Sequence, residues 1–135
     1  MNYYFDTCIW RDYYENRNDN FRPLGEWALA LINKIQKEKN KILYSSIVVR
    51  KLKGKYDLKE INQIFSVANT FLIQVEYNYS QIQEAKITGS VRNTGFSDAL
   101  HVILARDNNA IMITRDEHFL EFIDIAEIKK PEELI

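Results

Sequence analysis

A chain of 135 residues is the size of one folded domain, and 46% hydrophobic content can fill a core. At 27% charged residues, with four glycines and two prolines, it is not a disordered or low-complexity chain. A net charge of −1 excludes a general attraction to nucleic acid, so any such contact has to come from a local basic patch. One cysteine excludes an internal disulfide, no apolar run approaches the ~18 residues of a membrane span, and Met1-Asn2-Tyr3-Tyr4-Phe5-Asp6 lacks the basic-then-apolar pattern of a leader, so the chain reads as a cytoplasmic protein with no membrane partner.

Along the chain, Tyr3-Tyr4-Phe5 reads as a buried strand that stops at Asp6. Asp12 to Arg22 is polar and aperiodic and reads as a loop. Leu24, Trp27, Ala28, Leu31, Ile32 and Ile35 fall on one helical face, with Pro23 suited to the first turn. Lys41 to Ser45 reads as a second strand, and Ser45 or Ser46 as the cap of a short helix ending near Leu52. Leu58, Ile61, Ile64, Phe65 and Ala68 mark another helix, and Phe71 to Val75 a third strand. Ser80 is the expected cap of a helix carrying Ile82 and Ala85. Ser97 opens the clearest later helix, through Ala105, and Ala110 to Ile113 is a fourth strand. Ile123 to Ala126 is the expected last, edge-like strand. This alternation argues for a single domain, residues 1–135, of α/β class: a parallel sheet of four to five strands with helices on both faces. Ligands of such sheets bind at the carboxyl ends of the strands, where the strand order reverses.

Three acids fall where that edge would lie. Asp6 ends the first strand, Asp116 lies just past the fourth, and Asp98 stands in the first turn of a helix. Carboxylates gathered without counterions repel one another, and a hard divalent ion with oxygen ligands resolves the conflict. Such an ion can activate water against a phosphodiester. Each Asp also has a simpler reading, as a helix cap or a turn residue.

Tyr4-Phe5-Asp6-Thr7-Cys8-Ile9-Trp10 resembles the first motif of the PIN domain family. Phe96 to Ala105 resembles its third motif, Ile113 to Phe119 its fourth, and Lys130-Pro131-Glu132-Glu133-Leu134 its usual ending. The resemblance covers essentially the whole chain, with the motifs in order. It implies a three-layer α/β/α sandwich and Mg²⁺- or Mn²⁺-dependent cleavage of an RNA substrate, with Asp6, Asp98 and Asp116 as catalytic and metal-binding residues. Small members are similar to VapC-type toxins of toxin–antitoxin pairs, which implies an antitoxin partner and a homodimer.

The chain departs from that pattern at the second motif. The family usually places a Glu on the short helix after the second strand, and Lys51 stands at the best-matching position; the first acid after Lys41 is Asp57. Exchanging Glu for Lys shifts the local charge by two units, and one charge pair at ~4 Å and an effective dielectric near 20 amounts to about 4 kcal/mol. Three arrangements are open: Lys51 turned outward, Lys51 paired with an Asp in place of a metal, or another acid (Glu15, Glu60 or Glu84) filling the gap. The alternative function is therefore a catalytically impaired PIN-fold module that binds RNA or protein.

Thr7, Arg115 and Lys51 are the candidate substrate-binding residues. Arg115 can meet phosphate with its planar fork or make a structural salt bridge. Arg50, Lys51, Lys53 and Lys55 either grip phosphates or form a solvated helix end. His101, one turn after Asp98, suits a core role, and Cys8 reads as a small buried hydrophobe.

Overall fold

The first strand, β1 (Asn2–Phe5), is the middle of a five-stranded sheet whose strands are all parallel. The computed structural model describes residues 1–135. β2 (Lys41–Tyr44) lies on one side of β1 and β3 (Leu72–Gln74) beyond it. β4 (Ala110–Ile113) lies on the other side and the two-residue β5 (Ile128–Lys129) beyond it, so the order is β3-β2-β1-β4-β5. Tyr3 pairs with Ile42 on one side and Ile111 on the other, and the sheet reverses its build direction at β1 and β4.

Strand side chains alternate between faces, and β1 shows what each face meets. Tyr4 lies against His101 of α6 (Phe96–Asp107), while Phe5 packs against Trp10 of α1 (Thr7–Glu15). Helices thus cover both faces of the sheet. On the first side α5 (Tyr79–Arg92) packs along α6. On the second, α1 meets α2 (Leu24–Lys37), α3 (Ser46–Lys53) and α4 (Leu58–Ser66). The buried apolar side chains form one cluster through all layers, with Tyr4, Phe5, Ile9 and Trp10 fully buried at its centre.

Three local expectations need correction. Asp12 to Glu15 belongs to α1 rather than to a loop. The inward face of α1 carries Asp12 beside Ile9 and Trp10, so a buried carboxylate breaks the apolar rhythm that marks a helix. Asn16 ends α1 in the left-handed region (φ 48°), a conformation Asn tolerates well. Gly25 is needed just beyond: a Cβ there would lie 2.6 Å from the Asn16 Cα. The cap of α5 is Asn78, two residues before Ser80, in a reciprocal pair with Gln81. Finally, Ile123 to Ala126 is not a strand. Phe119 and Phe122 fill the core from a 3₁₀ segment (Glu117–Phe122), and Arg92 grips Asp124 at 2.7 and 2.8 Å, holding the following residues in a turn. Strand pairing resumes only at Ile128. No helix is long and apolar enough to cross a membrane.

Candidate functional site

Asp6, Asp98 and Asp116 arrive at one end of the sheet by three routes. Asp6 follows β1 and its backbone N–H donates to the Ile113 carbonyl of β4 (3.0 Å), at the reversal of strand order. Asp116 follows β4 across Thr114 and Arg115, and Asp98 occupies the first turn of α6. The carboxyl of Asp98 is raised above its ordinary range, by burial first and then by Asp116 and Asp6, against the lowering pull of Lys51 and His118. The three acids therefore share one electrostatic neighbourhood.

Their lone pairs are spent unequally. Asp6 caps α1: one oxygen accepts from the Thr7 backbone N–H (2.7 Å) and the other from the Thr114 hydroxyl (2.8 Å). Asp116 caps the 3₁₀ segment through the His118 N–H and meets the His118 imidazole, both at 2.9 Å. Asp98 makes no hydrogen bond to the protein; its nearest charge is the Lys51 ammonium at 4.0 Å. So Asp98 is the carboxylate left open, beside a cavity of about 460 Å³ lined also by Arg92, Asn93, Thr94, Gly95, His118 and Glu121. Asp116 borders a second cavity of about 210 Å³ with Thr114 and Lys130.

The arrangement at Lys51 is the second of the three possibilities, in a loose form. At 4.0 Å the contact exceeds the length of a hydrogen bond, and the two side chains are 38% and 24% exposed. A pair so exposed contributes about 0–1 kcal/mol, well below the bare Coulomb figure of ~4 kcal/mol, because side-chain ordering and solvent screening offset the attraction. None of the other acids fills the Glu position. Glu15 is held by Arg11, Lys55 and Tyr56, Glu60 caps α4 with Asp57, and Glu84 binds Arg106 at the far end of α6.

Sequence reasoning missed two residues here. Thr114 is buried and its hydroxyl bridges the site, donating to Asp6 and accepting from the Asp116 N–H (3.1 Å). His118 stands exposed on Asp116. The available signal was position: Thr114 is the first residue past β4, and His118 lies two beyond an Asp that caps.

The remaining candidates fall elsewhere. The Thr7 hydroxyl is buried without a hydrogen-bond partner. Arg115 turns away from the acids. Its fork takes Glu132 at 2.7 and 2.9 Å and Asp12 at 3.2 Å, over the Trp27 ring. Burial, with Asp6 adding to it, pushes the Cys8 thiol up to about 12, so it stays protonated and is no nucleophile at neutral pH.

His101 is fully buried one turn below Asp98. Its Nδ1 is 2.6 Å from the Tyr4 hydroxyl, itself 2.7 Å from Ser45 Oγ, which caps α3. This chain joins the elements that carry Asp6, Asp98 and Lys51. Burial, then the Lys51 charge, lowers the imidazole to about 3. A His neutral when folded but titrating near 6.5 when unfolded withholds a proton from the native state. Stability is therefore complete above about pH 6.5 and falls by about 1.4 kcal/mol per pH unit as pH drops toward about 3. Denaturant unfolding of the wild type and His101→Gln across this window should show the extra slope in the wild type alone. Equal slopes would mean the imidazole is charged in the folded state.

Whether these residues suit a divalent ion turns on their chemistry. The donors are carboxylates, the ligands that Mg²⁺ and Mn²⁺ take, and burial and mutual repulsion already work against the charge on Asp98. As they stand, no three His, Cys, Asp or Glu side chains converge closely enough to hold a metal. The donor type suits such an ion, but the three carboxylates would have to draw together to hold one, and the weakly held Lys51 is the competing cation.

Neither a family model nor a curated protein matches the sequence. Solved structures do match over nearly the full length. The chain is similar to VapBC2 from Rickettsia felis, crystallised on a DNA fragment from its promoter (TM-score 0.69, 20% identity, 96% of this chain and 98% of that one). It is similar to a toxin–antitoxin complex from Klebsiella pneumoniae (TM-score 0.65, 17% identity, 96% and 97%). It is also similar to FitAcB from Neisseria gonorrhoeae (TM-score 0.64, 16% identity, 99% and 100%). The fold is the PIN fold of the VapC type.

Proposed function

We propose that this chain is a metal-dependent endoribonuclease of PIN type that hydrolyses RNA phosphodiester bonds and serves as the toxin of a toxin–antitoxin pair. The observation that supports the reading is the placement of Asp6, Asp98 and Asp116 at one end of the sheet, near enough to act on one another's charge, with Asp98 open to a polar cavity. The likeness to toxin–antitoxin complexes supports an antitoxin partner, and the same reading extends to a homodimer acting in the cytoplasm.

Asp6, Asp98 and Asp116 would hold Mg²⁺ or Mn²⁺, which when bound supplies Lewis acidity toward phosphate and an acidified water. The chain's own part is to hold its carboxylates in register. Thr114 fixes Asp6 against the Asp116 turn, and the Tyr4–His101 contact sets α6 and hence Asp98 on β1. Lys51 borders these acids, and its ammonium would balance phosphate charge, whereas the Thr7 hydroxyl is buried and takes no part in substrate binding.

Lys51 beside Asp98 favours a second reading, a PIN-fold module that binds RNA or protein without turnover. One set of measurements separates the two: RNA cleavage with Mn²⁺ or with EDTA, and Mn²⁺ calorimetry on the wild type and Lys51→Glu. The nuclease reading expects cleavage with Mn²⁺, none with EDTA, and Mn²⁺ binding about tenfold tighter in Lys51→Glu, a gain of about 1.4 kcal/mol. Cleavage that persists in EDTA sinks the metal role. A wild type that neither cleaves nor binds Mn²⁺, while Lys51→Glu binds it, establishes the second reading.

A further inference from the structure

We propose that the C-terminal ends of α1 and α3 form a track for the phosphate backbone of single-stranded RNA leading to the acidic site; this rests on the nuclease reading. Six cations lie on these two stretches of chain, Arg11 and Arg17 on α1 and the turn after it and Arg50, Lys51, Lys53 and Lys55 on α3 and beyond, and three of them, Arg11, Arg17 and Lys55, converge on one carboxylate. A basic run visible in sequence thus gains two arginines that sequence distance hides.

The arrangement is built around one carboxylate. Glu15 accepts from Arg11 Nε (3.1 Å), Lys55 Nζ (3.0 Å) and the Tyr56 hydroxyl, with Arg17 at 3.6 Å. These donors overcome the burial of Glu15 and hold its carboxyl at about 2, so it is always charged. One negative charge gathers three positive side chains that would otherwise repel, and a net positive charge remains. Asp12 takes part of Arg17 (3.4 Å), but its other partner is Arg115 on the far side.

Arg50 and Lys53 carry the rest. They are exposed, make no ion pair, and lie one turn apart on α3, opposite the buried Val48 and Leu52. The α3 carboxyl end attracts cations but supplies only about half a charge, too little to neutralise them. Lys51 leans from the same helix toward Asp98, so the positive surface is continuous with the site. The chain as a whole carries −1, so this is local segregation of charge rather than general basicity.

That continuity selects the occupant. A polyanion lying along α3 is delivered, by way of Lys51, to carboxylates proposed to act on phosphodiesters. Tyr56 is buried beneath Lys55, with Tyr14 packed edge-on against it, so neither ring offers a free face for a base, and the contact is expected to be salt-dependent and indifferent to sequence.

The test is binding of a fluorescein-labelled oligouridylate in EDTA, over a range of salt, by the wild type, Arg50→Glu/Lys53→Glu, and Lys37→Glu/Lys86→Glu. The last pair changes net charge equally at exposed sites on α2 and α5. The strip variant should bind about tenfold more weakly, with the slope of log Kd against log salt reduced by about 1.4, the value for two lost phosphate contacts on a single strand. The control should bind like the wild type. Equal losses in both variants would reduce the effect to net charge, and unchanged binding by the strip variant would remove the track. Displacement of the RNA by polyglutamate at matched charge would assign the surface to an acidic protein instead. A wild type that binds this RNA but never cleaves it overturns the nuclease reading and leaves the track standing. Cleavage with binding unaltered in the strip variant overturns the track alone.

Discussion

Asp98→Asn is expected to lower RNA cleavage by on the order of 10²–10³-fold while leaving the protein folded, the loss typical when one electrostatic contributor to a transition state is removed. The asymmetry among the three acids makes this position the informative one. Asp6 and Asp116 cap a helix and a 3₁₀ segment, so replacing them mixes lost chemistry with lost capping, worth about 0.5–2 kcal/mol. Asp98 forms no hydrogen bond within the protein, and its one ion pair is long and exposed. Burial, Asp6 and Asp116 all work against its charge. Asn keeps the shape and relieves that opposition, so thermal unfolding should be unchanged or slightly higher. Initial rates with Mn²⁺, read beside a melting curve, check both halves. Activity within about threefold of wild type in a folded protein would show that the Asp98 charge is not used, since such a change is under 1 kcal/mol.

Arg115→Ala is expected to cost about 3–5 kcal/mol of stability, the range for stripping one partner from a buried ion pair. Its guanidinium is 13% exposed and the Asp12 carboxyl 3%. Burial already raises the Asp12 carboxyl despite Arg115 and Arg17, so losing Arg115 leaves a poorly compensated charge in the core. The same fork holds Glu132 and so ties the 3₁₀ turn Pro131–Glu133 to α1, above Trp27 of α2. Denaturant unfolding measures the loss. Asp12→Asn introduced beside Arg115→Ala should recover part of it, because the stranded charge is gone, and the double-mutant cycle isolates the pair. A cost below about 0.5 kcal/mol, the usual value for a surface change, would mean that Arg115 is free to serve elsewhere.

Sequence alone determined the layered architecture, because burial on both faces of a parallel sheet demands continuous apolar runs and its covering helices demand a 3.6-residue rhythm; both are local properties, legible in Tyr3 to Phe5, Leu24 to Ile35 and Ala110 to Ile113. It put Asp6 and Asp116 at one end of the sheet for a related reason, since residues just past parallel strands share an edge, whereas Asp98, at the start of α6, comes there only through the packing of that helix. Where a buried polar group interrupts the rhythm, as Asp12 does in α1, the local signal failed. It failed again at Ile123 to Ala126, where alternation mimics a strand but Phe122 and the Arg92–Asp124 pair fold the chain into a turn. Only the tertiary structure decided what each charge does. Arg115 faces Asp12, Glu132 and Trp27, Lys51 faces Asp98, and Glu15 gathers cations from two distant stretches of chain. The partner of a long charged side chain depends on which elements pack beside it and how much water they exclude, and neither is written in the spacing of the residues along the chain.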